Sequence, residues 1–285
     1  MSRRTASPFE PLIDAVESVE ALDAVGKPVA KQVRSTIKQP VKDVLSGTWL
    51  GHALHPLMTD VVVGTFLSAT LLDLLGDDDG SAAKLIGVGM AAYLPTALTG
   101  VNDWADTEPV DDGIRRAGLV HAATNTTALA CYALSLKARR NGRSGRARAL
   151  SLAGAAALGA AGFLGGHLSF AKGVGPDQTI FDSGPDDWTD AGEAPGDEPK
   201  RVVVEDTPVL LVRAHGSLYA LHDRCSHRGC SLANGELDGL EVVCACHGSR
   251  FDLRDGAVKQ GPATAPQPAF ETREQDGRIE IRRRH

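Results

Sequence analysis

The sequence predicts a multidomain protein in which an N-terminal all-α domain, a four-helix transmembrane bundle, precedes a small all-β domain. Three observations predict this fold class: four long apolar stretches, a Pro-, Gly- and acid-rich segment after them, and short β-branched runs separated by turn residues at the end. At 285 residues the chain is long enough for two domains. Nucleic acid is not expected as a partner, because the net charge is −6 and phosphate binding needs a basic face.

Residues 1–45 are expected to form an N-terminal amphipathic segment. Leu12, Ile13, Val16 and Val19 recur at the spacing of one face of a helix. The pattern predicts one or two short helices that lie on the membrane surface. The segment lacks the apolar core of a cleavable signal peptide, so none is expected.

Residues 46–173 are expected to form the membrane domain. Each apolar stretch is close to the ~20 residues that cross a bilayer as a helix. Asp60, Asp73 and Asn125 interrupt the stretches, so a soluble four-helix bundle is the alternative. We prefer the membrane interpretation because the last stretch is long, rich in Gly and Ala, and uncharged. The stretches are 54–76, 85–102, 117–136 and 149–171.

Residues 174–198 are expected to be an acidic Pro/Gly linker, since they show almost no apolar periodicity. As a flexible coil, such a segment would span roughly 25–30 Å. The all-β domain follows at residues 199–285. It is predicted from a hairpin with its tip at His215 and Gly216 and from further short strands near 241–243 and 278–282.

The decisive motif is C-x-H, sixteen residues, then C-x-x-H, formed by Cys225, His227, Cys244 and His247. Each half supplies one thiolate and one imidazole. This division suits a 2Fe-2S cluster in which two cysteines hold one iron and two histidines hold the other. The alternatives are a Cys2His2 zinc site or unrelated cysteines. Zinc fingers, however, pair cysteine with cysteine and histidine with histidine, whereas each half is mixed here.

On CSHRGC at 225–230 and CACHGSRFD at 244–252, residues 199–285 resemble a Rieske domain. The resemblance implies that the four motif residues are the cluster ligands. It also implies that Cys230 and Cys246 form the disulfide found between the cluster loops in Rieske proteins of cytochrome bc and related complexes. Many ferredoxin and oxygenase Rieske domains lack this pair, and two free thiols are the alternative.

The same resemblance identifies residues that tune the cluster. Ser249 stands where high-potential members have a hydroxyl that donates to a bridging sulfide, but Phe251 replaces a tyrosine that donates to a cysteine sulfur. We therefore expect a potential below that of quinol-oxidising relatives and above that of ferredoxins. Gly261-Pro262-Ala263 resembles the proline loop that covers the cluster, with an ordinary turn as the alternative. Arg228 stands at a position that is usually apolar in quinol-oxidising members.

Residues 46–175 resemble a family of uncharacterised four-span bacterial membrane proteins that are sometimes fused to Rieske domains, through GHALHPL, GVNDW, HAATN and LGGHLSFAKGVG. In an up-and-down bundle, the histidines of these motifs gather at one membrane face. Our hypothesis is a b-type haem, another metal or a quinone bound there. The alternative is that the histidines cap helices, hydrogen-bond across the bundle or lie among headgroups. They are His52, His55, His121 and His167.

The charges of the loops favour one orientation in a bacterial plasma membrane. The basic loop at 137–148 and the acidic loop at 76–80 place the Rieske domain outside, although Arg34, Lys38 and Lys42 argue for the opposite side. An external location would also preserve a disulfide.

The expected function is that of a membrane-anchored Rieske protein in contact with lipid. It would carry single electrons between a membrane donor, such as quinol or a bundle haem, and a redox protein. No residue is assigned a bond-making catalytic role. Oxygenase catalysis is not expected, because no 2-His-1-carboxylate domain follows the motif in this sequence. The alternatives are a quinol-oxidising oxidoreductase subunit and a redox or iron sensor.

Overall fold

A computed structural model describes residues 8–76, 80–196 and 198–284. Arg3 and Arg4 lie outside these residues, and so do residues 77–79 of the acidic loop. The chain divides into two compact units, one formed by Met1–Lys38 and Leu54–Val174 and the other by Gln39–Ala53 and Gly175–His285. It passes between the units three times, after Lys38, after Ala53 and after Val174.

The first unit is helical, as the sequence predicts. Four long helices, α4 to α7, pack in a closed bundle in which α4 contacts α5 and α7, and α6 contacts α5 and α7. Phe66 of α4 and Tyr132 of α6 are fully buried in its core, and their rings stack with centroids 4.1 Å apart. The helices are α1 (Glu10–Glu17), α2 (Asp23–Thr36), α3 (Val41–Ser46), α4 (Leu54–Leu75), α5 (Ser81–Thr107), α6 (Asp112–Arg140) and α7 (Ser144–Gly166), and a π-helical turn (His167–Ala171) continues α7.

The expectation of four membrane spans is corrected to three candidate spans. Within the described residues, three helices are long and apolar enough to cross a membrane: Leu54–Leu75, Ser81–Thr107 and Ser144–Ala171. The stretch at 117–136 is indeed helical, but it belongs to α6, which does not meet this criterion. Its polar residues explain why, since charged, amide and hydroxyl groups are costly in hydrocarbon. They include Arg115, Arg116, His121, Asn125 and a run of threonines.

The N-terminal segment forms helices that pack on the bundle. α1 contacts α6, and α2 contacts both α5 and α6. Ile13 of α1 and Ala30 of α2 are buried in these contacts. Ion pairs reinforce the packing, since Asp23 accepts hydrogen bonds from the buried guanidinium groups of Arg115 and Arg116 at 3.3 and 3.0 Å. Of the amphipathic pattern, Ile13 therefore packs against protein, whereas Leu12 and Val19 remain exposed.

The second unit consists of two antiparallel sheets. The larger has the strand order β1-β10-β9-β4-β3-β2, and the smaller has the order β5-β6-β7-β8. Apolar side chains such as Leu210, Leu221 and Phe251 fill the core next to the smaller sheet. The strands are β1 (Thr189–Glu193), β2 (Lys200–Val204), β3 (Thr207–Ala214), β4 (Ser217–His222), β5 (Glu236–Asp238), β6 (Glu241–Val243), β7 (Arg250–Asp252), β8 (Val258–Gln260), β9 (Ala269–Gln275) and β10 (Arg278–Arg283).

The segment expected as a linker differs from a free coil. Its residues 189–193 form β1, which pairs with β10 at the edge of the larger sheet. Trp188 lies beneath the guanidinium groups of Arg273 and Arg282, 4.4 and 4.7 Å from its ring centroid. Strand pairing and these cation–π contacts offset the conformational entropy that disfavours order in such a polar segment.

Candidate metal centre

Two loops of similar geometry carry the motif residues. The first loop follows β4, and in it the amide of Gly229 donates to the carbonyl of Cys225 at 2.7 Å. The second loop lies between β6 and β7, and in it the amide of Gly248 donates to the carbonyl of Cys244 at 2.9 Å. Both glycines have positive φ, 73° and 75°, which favours glycine at the turn. Each cysteine amide donates in return to the carbonyl that follows its glycine, at 2.8 Å. Each loop therefore fixes a cysteine backbone.

The two motif cysteines lie together in the domain core. Cys225 is 1% and Cys244 is 2% exposed. The hydrogen bond between their thiols raises the pKa of Cys225 and lowers the pKa of Cys244 to about 6. One sulfur is thus readily deprotonated near neutral pH, and thiolate is the form that binds metal.

The two motif histidines lie beside each other. Their rings are perpendicular, with centroids 5.0 Å apart. Nδ1 of His227 is buried and has no hydrogen-bond partner among the described residues. Burial lowers the pKa of His227 well below its ordinary value, and the charges of His247, Arg228 and Lys42 lower it further. The imidazole is therefore neutral, which is the metal-binding form.

A disulfide joins Cys230 of the first loop to Cys246 of the second, as the resemblance implies. The sulfurs of Cys230, Cys244 and Cys246 lie within 4.8 Å of one another. Cys230 and Cys246 are oxidised to the disulfide, so they are not thiolate ligands. The cysteines of this domain that remain as thiols are Cys225 and Cys244. Two buried thiols, two adjacent imidazoles and an orphaned ring nitrogen fit a 2Fe-2S cluster of mixed ligation.

Ser249 follows the second loop and is fully buried. The amide of Ala263, in the proline loop, donates to its Oγ at 2.9 Å. Because Oγ acts as an acceptor there, the hydroxyl hydrogen remains available to donate elsewhere. Phe251 is also fully buried and has no group that donates. Of these two residues, only Ser249 therefore offers a hydroxyl that can donate a hydrogen bond near the second loop.

Comparison with known proteins identifies both units. The Rieske [2Fe-2S] domain family model matches residues 188–271. The anthranilate 1,2-dioxygenase ferredoxin subunit of Burkholderia cepacia is 35% identical over 85 residues, which are 30% of this chain and 79% of the relative. The chain belongs to the Rieske family. The helical unit matches the family described as predicted membrane protein (DUF2231), over residues 51–178.

Two further matches each cover about a third of the chain. The cytochrome b6-f complex iron-sulfur subunit of Chlorobaculum tepidum is 30% identical over 91 residues, 32% of this chain and 49% of that protein. A solved ferredoxin of carbazole 1,9a-dioxygenase from Nocardioides aromaticivorans is 27% identical, with a TM-score of 0.32, and the match covers 34% of this chain and 99% of that chain. Rieske proteins act as electron-transfer ferredoxins or as subunits of redox complexes, and this one also has a membrane domain.

Three of the bundle histidines hydrogen-bond within the helical unit. Nδ1 of His55 lies 3.1 Å from the carbonyl of Thr96, and Nδ1 of His121 lies 2.8 Å from that of Ala161. Nε2 of His167 lies 2.8 Å from a carboxylate oxygen of Glu17. These contacts match the alternative of hydrogen bonds across the bundle, and the comparisons give no support for haem b.

The fourth histidine, His52, lies in the other unit and is exposed. Its Nδ1 is 3.1 Å from the carbonyl of Ala53. The predicted site of four histidines therefore draws residues from both units, and it stays a prediction.

Sequence reasoning missed the side chains that hold the first loop in the Rieske domain. Buried Gln267 accepts from the amide of Ser226 at 3.0 Å and donates to the carbonyls of His222 and Arg224. Asp223, 1% exposed, accepts from the hydroxyl of Ser231 at 2.7 Å. Single polar residues such as these form no motif, because their partners are distant in sequence or are main-chain groups.

Proposed function

We propose that this protein is a membrane-anchored Rieske iron–sulfur protein that carries single electrons between a donor at the membrane and a redox protein. Cys225 and Cys244 would hold one iron, and His227 and His247 the other. The observation that carries the proposal is the placement of two buried thiols and two neighbouring imidazoles on two loops joined by a disulfide.

When bound, a Rieske cluster supplies a centre that takes up and releases one electron without making or breaking substrate bonds. The surrounding residues set its conditions. The thiols of Cys225 and Cys244 lie in the apolar core, which excludes water from the sulfur side. His227 and His247 are only partly buried, so the nitrogen side is nearer the surface from which a partner would exchange electrons.

The partners are inferred from the chemistry and from the relatives. Relatives named as a dioxygenase ferredoxin subunit and a cytochrome complex subunit support a redox protein as one partner. The three candidate spans support an anchor in lipid and an electron donor within the membrane, and a quinol as the direct donor is the second candidate below. The basic loop at 137–148 favours a bacterial plasma membrane location with the Rieske domain outside.

Metal analysis and low-temperature EPR of the full-length protein in detergent test the proposal. We expect iron and inorganic sulfide in equal amounts and, after reduction, the signal of a mixed-ligand iron pair. Cys244→Ser should abolish the signal, whereas the matched variant Cys131→Ser, which changes the half-buried free cysteine of α6, should retain it. Zinc without sulfide, or a cluster that survives Cys244→Ser, would contradict the assignment.

A quinol-oxidising subunit is the second candidate. It is favoured by the match to the cytochrome b6-f iron-sulfur subunit and by the Cys230–Cys246 disulfide. Phe251 and Arg228 depart from the pattern of quinol-oxidising members. Reduction of the cluster by a short-chain quinol, measured under anaerobic conditions, separates the two candidates: rapid reduction supports this one, and reduction only through a protein donor supports the carrier.

A further inference from the structure

A short segment from the N-terminal part of the chain folds with the Rieske domain. Residues 39–53, here called the clasp, belong to the same compact unit as the two sheets. The clasp contains α3 and a 3-10 turn at Thr48–Leu50. It is followed directly by α4, the first candidate span.

The clasp binds the proline loop, Gly261–Ala263, through three hydrogen bonds. Gln39 Nε2 donates to the carbonyl of Gly261 at 3.1 Å, and the amide of Gly261 donates to Oδ1 of Asp43 at 2.7 Å. Thr48 Oγ1 donates to the carbonyl of Ala263 at 3.2 Å. Both ends of the loop are therefore held by side chains more than 200 residues away in sequence.

The approach of the clasp to the loop is close. A Cβ atom added to Gly261 would lie 2.3 Å from Oγ1 of Thr48 and 2.7 Å from Oδ1 of Asp43. Only glycine leaves room for both contacts. Gly261, Pro262 and Ala263 are all buried, so the contact excludes water from the loop.

The loop transmits this contact to the second cluster loop. Ala263 uses its carbonyl to accept from Thr48 and its amide to donate to Ser249 Oγ at 2.9 Å. These two hydrogen bonds fix the peptide groups on either side of the Ala263 Cα, so each restricts the position of the other. The Thr48 hydroxyl therefore influences the position of the Ser249 hydroxyl through one intervening residue, Ala263.

We propose that the clasp positions the Gly261–Ala263 loop so that Ala263 orients the Ser249 hydroxyl toward the cluster, which makes Gln39, Asp43 and Thr48 positioning residues for the reduction potential. The inference rests on the proposed function, because it needs a cluster between the two loops. A donor to the cluster stabilises the reduced, more negative state, so weakening the clasp lowers the potential.

A double-mutant cycle of Thr48→Val and Ser249→Ala in the full-length protein tests this proposal. We expect Ser249→Ala to lower the equilibrium constant for reduction about tenfold, which is about 59 mV for one electron. Thr48→Val should lower it about threefold in the wild-type background and leave it unchanged in the Ser249→Ala background. The measurement is an EPR-monitored redox titration.

Additive effects of the two substitutions, or no shift from Thr48→Val, would overturn the proposal while the cluster signal still supports the proposed function. A wild-type protein without the mixed-ligand signal would defeat the proposed function itself. Thr189→Val is the matched control. Thr189 begins β1 in the larger sheet, and its hydroxyl also donates to a main-chain carbonyl, that of Asp187. It should leave the potential unchanged.

Hydrogen exchange supplies a readout that does not depend on the potential. Asp43→Ala removes the acceptor for the Gly261 amide, so exchange in a peptide containing residues 261–263 should become faster. Asp43→Asn keeps an oxygen acceptor and should leave exchange slow, which separates the hydrogen bond from the charge. Equal exchange in wild type and Asp43→Ala would contradict a clasp that holds the loop.

Discussion

His227 of the Rieske domain and His121 of the helical unit use their ring nitrogens in opposite ways. In the Rieske domain, Nδ1 of His227 is buried without a hydrogen-bond partner among the described residues. In the helical unit, His121 uses Nδ1 toward the carbonyl of Ala161 and accepts at Nε2 from the side-chain amide of Asn125. The comparison sets a ring nitrogen without a protein partner, which we propose binds iron, against ring nitrogens that bond within the protein.

The difference follows from the cost of burying polar atoms. A buried nitrogen without a partner is destabilising by about 1–3 kcal/mol, so a fold retains one where another group binds it. A histidine between helices instead satisfies a carbonyl and joins the helices, since water is scarce there. For His227 and His121, whether a ring nitrogen has a hydrogen-bond partner therefore distinguishes the proposed metal ligand from the structural histidine, although the residue type is the same.

The largest expected effect is the loss of the cluster when a Rieske histidine is removed. His227→Ala takes away the orphaned nitrogen, so the protein should lose iron, sulfide and the EPR signal almost completely. His121→Ala, the matched change in the helical unit, should retain all three. Iron analysis and EPR on both variants check this, and loss of iron from the His121 variant would break the comparison.

The next effect concerns the disulfide that joins the two cluster loops. Replacing both Cys230 and Cys246 by serine should decrease the free energy of unfolding of the Rieske domain by about 3 kcal/mol, as expected for a loop of 16 residues. Denaturant unfolding followed by the visible absorbance of the cluster measures this change. A variant as stable as wild type would show that the hydrogen-bonded turns alone hold the loops together.

The cluster motif could be predicted from the sequence because its residues are local. The mixed spacing of cysteine and histidine within each loop and the glycine after each turn all lie within a few positions. The orphaned nitrogen of His227 could not be predicted, since it depends on which distant side chains approach the ring. The same limit hid Gln267, whose partners lie more than 40 residues away.

The remaining differences have a common physical origin in tertiary contacts. The helix α6 was predicted, but polar residues such as His121, which bonds to the neighbouring helix, make it too polar to count as a candidate span. Residues 189–193 lack strand periodicity, and they form β1 only because β10 offers an unpaired edge. Position in the chain assigned residues 39–45 of the clasp to the N-terminal segment and 46–53 to the membrane domain, although the partners of the clasp lie near residue 262.

A smaller effect is expected when a bundle histidine loses its hydrogen bonds. His121→Ala removes the side-chain contact to the carbonyl of Ala161 that joins α6 to α7, so the free energy of unfolding of the helical unit should fall by about 1–2 kcal/mol. Thermal unfolding in detergent, followed by circular dichroism, gives the change. His52→Ala is the control, because His52 is exposed and bonds only to the next residue.

The smallest effect sharpens the comparison by using a charged group of the Rieske domain that takes no part in metal binding. The hydrogen bond from Arg254 holds the pKa of Asp252 well below its ordinary value of 3.8, and Lys259 adds to the effect. Because the folded state favours the ionised carboxylate, this stabilisation is present above pH 3.8 and is lost as the pH falls further toward the folded-state pKa. Asp252→Asn should therefore be less stable than wild type at neutral pH.

The free energies of unfolding of wild type and Asp252→Asn should converge as the pH is lowered below 3.8. Denaturant unfolding at a series of pH values measures the gap. Asp255→Asn provides a control, because that exposed carboxylate keeps an oxygen acceptor for the amide of Ala257 after substitution. A gap that stays constant through the acid range would mean that Asp252 acts through its shape and hydrogen bonds rather than through its charge.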